Sequence, residues 1–131
     1  MPDDLLRRAL DVNWWNLALG HEVLEADGAT FVRNPAFPAI YDANFVFGVT
    51  ASTPGEIECL LARARREYAH ALKITFRLDP LTSTPFEGRL VLDGYERRDS
   101  LVLLLEGNIS GESKRVEVRP IDDDAGWLVA V

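Results

Sequence analysis

The hydrophobic and polar positions of this chain divide it into alternating short blocks with different periods. From residue 3 to 19, Leu5, Leu6, Ala9, Leu10, Asn13, Trp14 and Leu17 recur at helical spacing on one face, and Gly20 is a natural stop. Residues 21–26 and 29–34 read as two short strands joined by Asp27-Gly28, a dipeptide suited to a tight hairpin. Asn44 to Ala51 is β-branched and aromatic with few charges, the pattern of a central strand covered on both faces.

Within 52–71, Thr53-Pro54-Gly55-Glu56 supplies a hydroxyl cap, a proline at the first helical position and a glutamate at the third. Ile57, Leu60, Leu61, Ala64 and Tyr68 form the buried stripe of the helix that follows. Residues 72–78 alternate as a strand, ended by Asp79-Pro80. Thr84-Pro85-Phe86-Glu87 repeats the capping signature and opens a short helix over 84–93, stopped by Gly94. Residues 100–106 read as a strongly apolar strand, 107–112 as a turn, and 114–119 as a strand with one wet face. The predicted order is α-β-β-β-α-β-α-β-β. The passage from 44 to 78 is a crossover that sets its two strands parallel, and both end hairpins are antiparallel. The expected class is α+β, a mixed, mostly antiparallel sheet with helices packed on it.

At 131 residues the chain is long enough for one core, and 47% hydrophobic with 27% charged residues describes an ordinary globule. A formal net charge of -7 argues against non-specific nucleic-acid binding and against an anionic membrane face. Cys59 is the single cysteine, so no intramolecular disulfide can form. The first residues are acidic and lead into no long apolar stretch, and no run matches a membrane span. These features predict a cytoplasmic protein without nucleic-acid or membrane partners.

The segment from Arg33 to Asn44 stands apart. It holds two prolines and two aromatics, then Tyr41, Asp42 and Asn44, three hydrogen-bonding side chains in four residues. Pro35-x-Phe37-Pro38-x-x-Tyr41-Asp42-x-Asn44 is similar to a segment of bacterial two-domain proteins of the GNAT acyltransferase superfamily, in which a GNAT-like half precedes a second GNAT half. Leu90-Val91-Leu92-Asp93-Gly94-Tyr95, followed by an apolar strand, resembles the usual GNAT ending. The element order also matches that fold, so the resemblance spans nearly the whole chain. It implies a single GNAT-like domain over 1–119. Residues 120–131, with Asp122, Asp123, Asp124 and Trp127, are either the opening of a further unit or a tail that tucks Trp127 into a groove.

GNAT enzymes hold the acyl-CoA pyrophosphate at the turn after the central strand, on Arg/Gln-x-x-Gly-x-Gly/Ala. Here the turn reads Val49-Thr50-Ala51-Ser52-Thr53-Pro54-Gly55-Glu56. It has one glycine, Pro54 offers no N–H, and Glu56 competes for the donors a phosphate needs. The expectation is a non-catalytic half that supports a catalytic GNAT half, with no cofactor site in this chain and acetyl-CoA or another acyl-CoA held by the catalytic half. The alternative is a free-standing ligand-binding or dimerisation module without acyl transfer. The expected partners are a second GNAT half or a homo-oligomer.

By the resemblance, Tyr95 is a weak catalytic candidate, near where many GNAT enzymes place a tyrosine that protonates the leaving thiolate; packing in the core is the plainer role. Tyr41, Asp42 and Asn44 are the candidates for a substrate groove, against the alternative that they tie down irregular backbone. His21 and His70 lack metal-ligand spacing and read as surface or helix-end residues. Cys59 reads as a buried inert thiol. Arg63, Arg65, Arg66, Arg97 and Arg98 read as solvated, ion-paired faces. Trp14 belongs to the apolar stripe of its helix, and Trp15 points to a second, partner-facing surface.

Overall fold

A computed structural model describes residues 3–103 together with Leu105, Gly107 and Gly111. The chain divides into two compact units, Met1–Leu101 and Val102–Val131. The first contains every element below. The expected strand at 114–119 and the 120–131 segment lie outside the described residues.

Helix α1 (Asp3–Ala18) places Leu10, Trp14 and Ala18 in the core, with Leu6 and Leu17 packed beside them. Asp3 and Asp4 in its first turn suit the positive end of the helix dipole. Gly20, at φ +80, lets the chain leave the helix. Strands β1 (Glu22–Ala26) and β2 (Ala29–Arg33) pair antiparallel from Glu22↔Arg33 to Ala26↔Ala29. That register leaves a two-residue loop, and Asp27 (φ 50) and Gly28 (φ 73) both take the left-handed region that such a loop requires. β2 pairs antiparallel with β3 (Phe45–Phe47), giving the order β1-β2-β3.

Side-chain alternation divides the sheet between two cores. Val32, Phe45 and Phe47 face α1. Ala29, Phe31 and Val46 face the other way, onto α2 (Pro54–Glu67) and α3 (Thr84–Leu92). There Ile57, Leu60, Leu61, Ala64, Phe86 and Leu90 close over them. The first unit is therefore helix, sheet and helix pair in three layers, an α+β arrangement.

Several expected elements are corrected. The strand expected over 44–51 is only Phe45–Phe47, because Gly48 turns the chain at φ +62. The chain then runs beside the hairpin, where the Thr50 N–H donates to the Gly28 carbonyl at 2.7 Å. The strand expected over 72–78 is a single parallel bridge, Val46↔Phe76. Its two bonds are Val46 N–H to the Thr75 carbonyl (2.9 Å) and Arg77 N–H to the Val46 carbonyl (2.7 Å). The parallel direction is the one a crossover from β3 requires. Residues 100–103 form no strand. The cap of α3 is Ser83 rather than Thr84, since the Ser83 hydroxyl accepts from the Phe86 N–H, and Thr84 is the first helical residue. No helix among the described residues is long and apolar enough to cross a membrane.

Candidate functional site

Asn44 organises the segment between β2 and β3. It is 1% exposed, and all of its amide is used. Its Nδ2 donates to the carbonyls of Phe37 (2.8 Å) and Ile40 (3.0 Å). Its Oδ1 accepts from the Asn34 N–H (3.0 Å) and from His70 Nε2 (2.7 Å). An oxygen can only accept, so His70 carries its proton on Nε2. His70 lies just past α2, so this bond ties the loop to the opposite layer. The second histidine is used in a similar way. Asn34 Oδ1 accepts from the Ala36 N–H (3.1 Å), which leaves Asn34 Nδ2 as donor to His21 Nδ1 (3.0 Å). Both imidazoles thus serve asparagines, and among the described residues neither is hydrogen-bonded to a hydroxyl or thiol.

Tyr41 and Asp42 point elsewhere. They converge on Arg77, which with Thr75 flanks Phe76, a residue packed against the core. Asp42 pairs with Arg77 Nη2. The guanidinium carbon of Arg77 lies 5.1 Å from the centre of the Phe45 ring, 5.7 Å from Tyr41 and 5.8 Å from Trp14. Lys73 Nζ lies 5.6 Å from the Tyr41 ring, so that ring faces two cations. Such contacts stabilise by about 0.5–2 kcal/mol each, more as water is excluded. Trp14 Nε1 and Arg77 Nε are both buried without a hydrogen-bond partner among the described residues. The structure therefore separates the three candidates: Tyr41 and Asp42 share Arg77, and Asn44 turns inward. Arg77 and Lys73 are not legible as site residues, because with Thr75 they form the ordinary polar phase of the 72–78 alternation.

An open cleft of about 320 Å³ lies beside this segment, lined by Asn16, Leu17, His21, Phe37, Ile40, Asp42 and Ala43. Phe37 and Ile40 are about half exposed on its wall. Its size is at the lower end for small-molecule sites.

The turn before α2 is closed by its own side chains. Glu56 Oε2 accepts from the Ser52 N–H (2.9 Å) and the Thr53 N–H (3.1 Å). The Thr53 hydroxyl accepts in return from the Glu56 N–H (3.3 Å). Those backbone donors hold the Glu56 carboxyl below its usual pKa. A second open cleft of about 350 Å³ borders this turn, lined by Asp27, Gly28, Thr50, Ala51, Gly55, Glu56 and Cys59. Cys59 is exposed there, which corrects the expectation of a buried thiol. It sits two residues from Ile57, roughly 200° around the helix and off the buried stripe.

Tyr95 is half-buried, its ring edge-on to Phe76 at 5.3 Å and packed against the core beneath α3. Burial pushes its phenol above the ordinary range, with Arg65 pulling the other way. Arg63 pairs with Asp27 (2.5 Å) and Glu67 (3.5 Å). Arg97 and Arg98 pair with Asp99 and Glu96. No group of three or more His, Cys, Asp or Glu suited to a metal ion occurs among the described residues. The chain matches no protein-family model, no curated protein and no solved structure.

Proposed function

We propose that this chain is a non-catalytic GNAT-like domain, related to acyl-CoA-dependent N-acyltransferases, that supports a catalytic half. The observation that carries this reading is the Glu56 carboxylate on the Ser52 and Thr53 N–H groups. A pyrophosphate needs such donors at the start of a helix, and here an anion of the chain already holds them. Pro54 adds no donor. In this reading the acyl-CoA belongs to the partner half, Asn44 fixes the 34–44 segment, and Tyr41 and Asp42 border the acceptor groove. Tyr95 packs the core and carries no proton to a thiolate.

The test is a calorimetric titration of acetyl-CoA into the purified chain. No heat and no thermal shift are expected. Saturable binding at micromolar affinity would overturn the reading and restore an enzyme. A second reading, a free-standing ligand-binding module, is favoured by the cleft of about 320 Å³ beside Asp42. It predicts saturable binding of a small molecule other than CoA, weakened by Phe37→Ser at the cleft wall.

A further inference from the structure

Arg97-Arg98-Asp99-Ser100-Leu101 follows α3 on a segment that forms neither helix nor strand. All of these residues are exposed, and the side chains of Arg97 and Arg98 are 75% and 80% open to solvent. Ser100 is the one serine or threonine of the chain with an arginine both two and three positions before it. Other hydroxyls are committed to the fold. Thr53 and Ser83 cap α2 and α3, Thr50 donates to the Gly28 carbonyl, and Thr82 accepts from the Asp79 N–H. The side-chain bonds around Ser100 are Arg97 to Asp99 and Arg98 to Glu96, and among the described residues its own hydroxyl enters none.

We propose that Ser100 is a phosphorylation site for a serine/threonine kinase that reads basic residues. Such an enzyme takes its substrate as an extended segment. Its carboxylates hold the two guanidiniums that precede the serine, and an apolar pocket takes the residue that follows. Leu101, exposed beside Ser100, supplies that apolar residue. The pairs that Arg97 and Arg98 make within the chain are open to water and screened, so they exchange readily for carboxylates of the kinase. The γ-phosphoryl group of ATP passes to the Ser100 oxygen. The bond from the γ-phosphorus to the β–γ bridging oxygen breaks and the new P–O bond forms. The serine proton goes to the catalytic carboxylate of the kinase, and ADP leaves. The product carries a charge of about −1.5 to −2 beside two guanidiniums, which it draws away from Asp99 and Glu96. The site depends on the exposure of this segment and not on the GNAT reading.

In the experiment, the full chain is incubated with magnesium-ATP and the catalytic subunit of a cyclic-AMP-dependent protein kinase, and labelling is followed by intact mass and peptide mapping. A synthetic peptide of residues 94–105 gives the rate for an unobstructed site. The expected result is one phosphoryl group per chain, on Ser100, at a rate within about tenfold of the peptide's, since no part of the fold has to open first. Ser100→Ala abolishes the labelling. Arg97→Ala combined with Arg98→Ala slows it by more than about tenfold. Both variants change only exposed side chains and keep the thermal midpoint of the parent chain. A folded chain labelled more slowly than that limit would show Ser100 held within the fold and would overturn the proposal. Labelling at another hydroxyl would overturn it too, as would a rate that survives the loss of both arginines.

Discussion

His70 donates its Nε2–H to Asn44 Oδ1 at 2.7 Å, and that bond joins the far end of α2 to the loop between β2 and β3. Asn44 is the acceptor and donor for four partners at once, in a site with almost no water. Asn44→Ala therefore leaves an N–H, two carbonyls and an imidazole without partners. The expected loss is about 2–4 kcal/mol by urea unfolding, more than one bond contributes, because four hydrogen bonds are lost together. His70→Ala should cost only about 1 kcal/mol, since the other three Asn44 bonds remain. Nitrogen-15 NMR of His70 should show its proton on Nε2. A proton on Nδ1 would contradict the network.

Tyr68 does similar work in a drier place. Its hydroxyl lies 2.6 Å from the Phe45 carbonyl and 2.9 Å from the Val32 carbonyl, so one O–H shared between two acceptors ties the end of α2 to β2 and β3. Burial raises the phenol well above its ordinary value of 10.0, and Glu67 adds to the effect. The folded state thus holds this proton more tightly than the unfolded chain does. Stability from this source is complete below pH 10 and drains away as pH rises toward the folded value. Tyr68→Phe should cost about 1–2 kcal/mol at neutral pH and show a shallower loss of stability above pH 10 than the parent chain. A parallel alkaline loss in both proteins would contradict this.

Local chemistry explains which elements were legible. Thr53, Pro54 and Glu56 announce a helix start because the cap, the fixed φ and the returning carboxylate act within four residues. Asp27-Gly28 announces a turn because few residue pairs tolerate two left-handed conformations in succession. Legibility ends where distant residues decide. The alternation over 72–78 is that of a strand, but only Phe76 bridges to β3. The apolar run at 100–103 pairs with no strand among the described residues. Ser83 takes the α3 cap from Thr84 because its hydroxyl also donates to the Ala51 carbonyl at 2.7 Å, a contact 32 residues away. The Arg77 arrangement draws on positions 14, 41, 42 and 45, which no local period connects.

The α2 cap gives an acid-side prediction. Backbone N–H groups of Ser52 and Thr53 lower the folded pKa of Glu56 from 4.5. A carboxyl depressed on folding contributes its stability above the unfolded value and loses it as pH falls through the folded one. The stability gap between the parent chain and Glu56→Ala should therefore be constant from neutral pH down to about 5 and close as the solution is acidified further. Thr53→Ala removes a hydroxyl that does not titrate, and should cost about 1 kcal/mol at every pH in that range. An acid-independent gap for Glu56→Ala would show that its carboxylate is not the group that closes this helix end.

Arg77 and Asp42 allow stacking and charge to be weighed against each other. The Asp42 side chain is 47% exposed and that of Arg77 is 20% exposed, so water screens their ion pair from one side. Pairs of this kind contribute less than about 1 kcal/mol. The guanidinium, by contrast, rests on Phe45 and Trp14 from within the sheet–helix layer and on Tyr41 from the loop. Asp42→Asn should accordingly cost less than about 1 kcal/mol. Arg77→Ala should cost about 2 kcal/mol, because it removes the ring contacts and the packed stem together. Arg77→Lys should recover little of the loss, since an ammonium cannot stack flat on a ring. In a double-mutant cycle of Arg77→Met with Asp42→Asn, the coupling should stay below about 1 kcal/mol. A larger coupling would make the ion pair, and not the aromatic rings, the force that holds Arg77 in place.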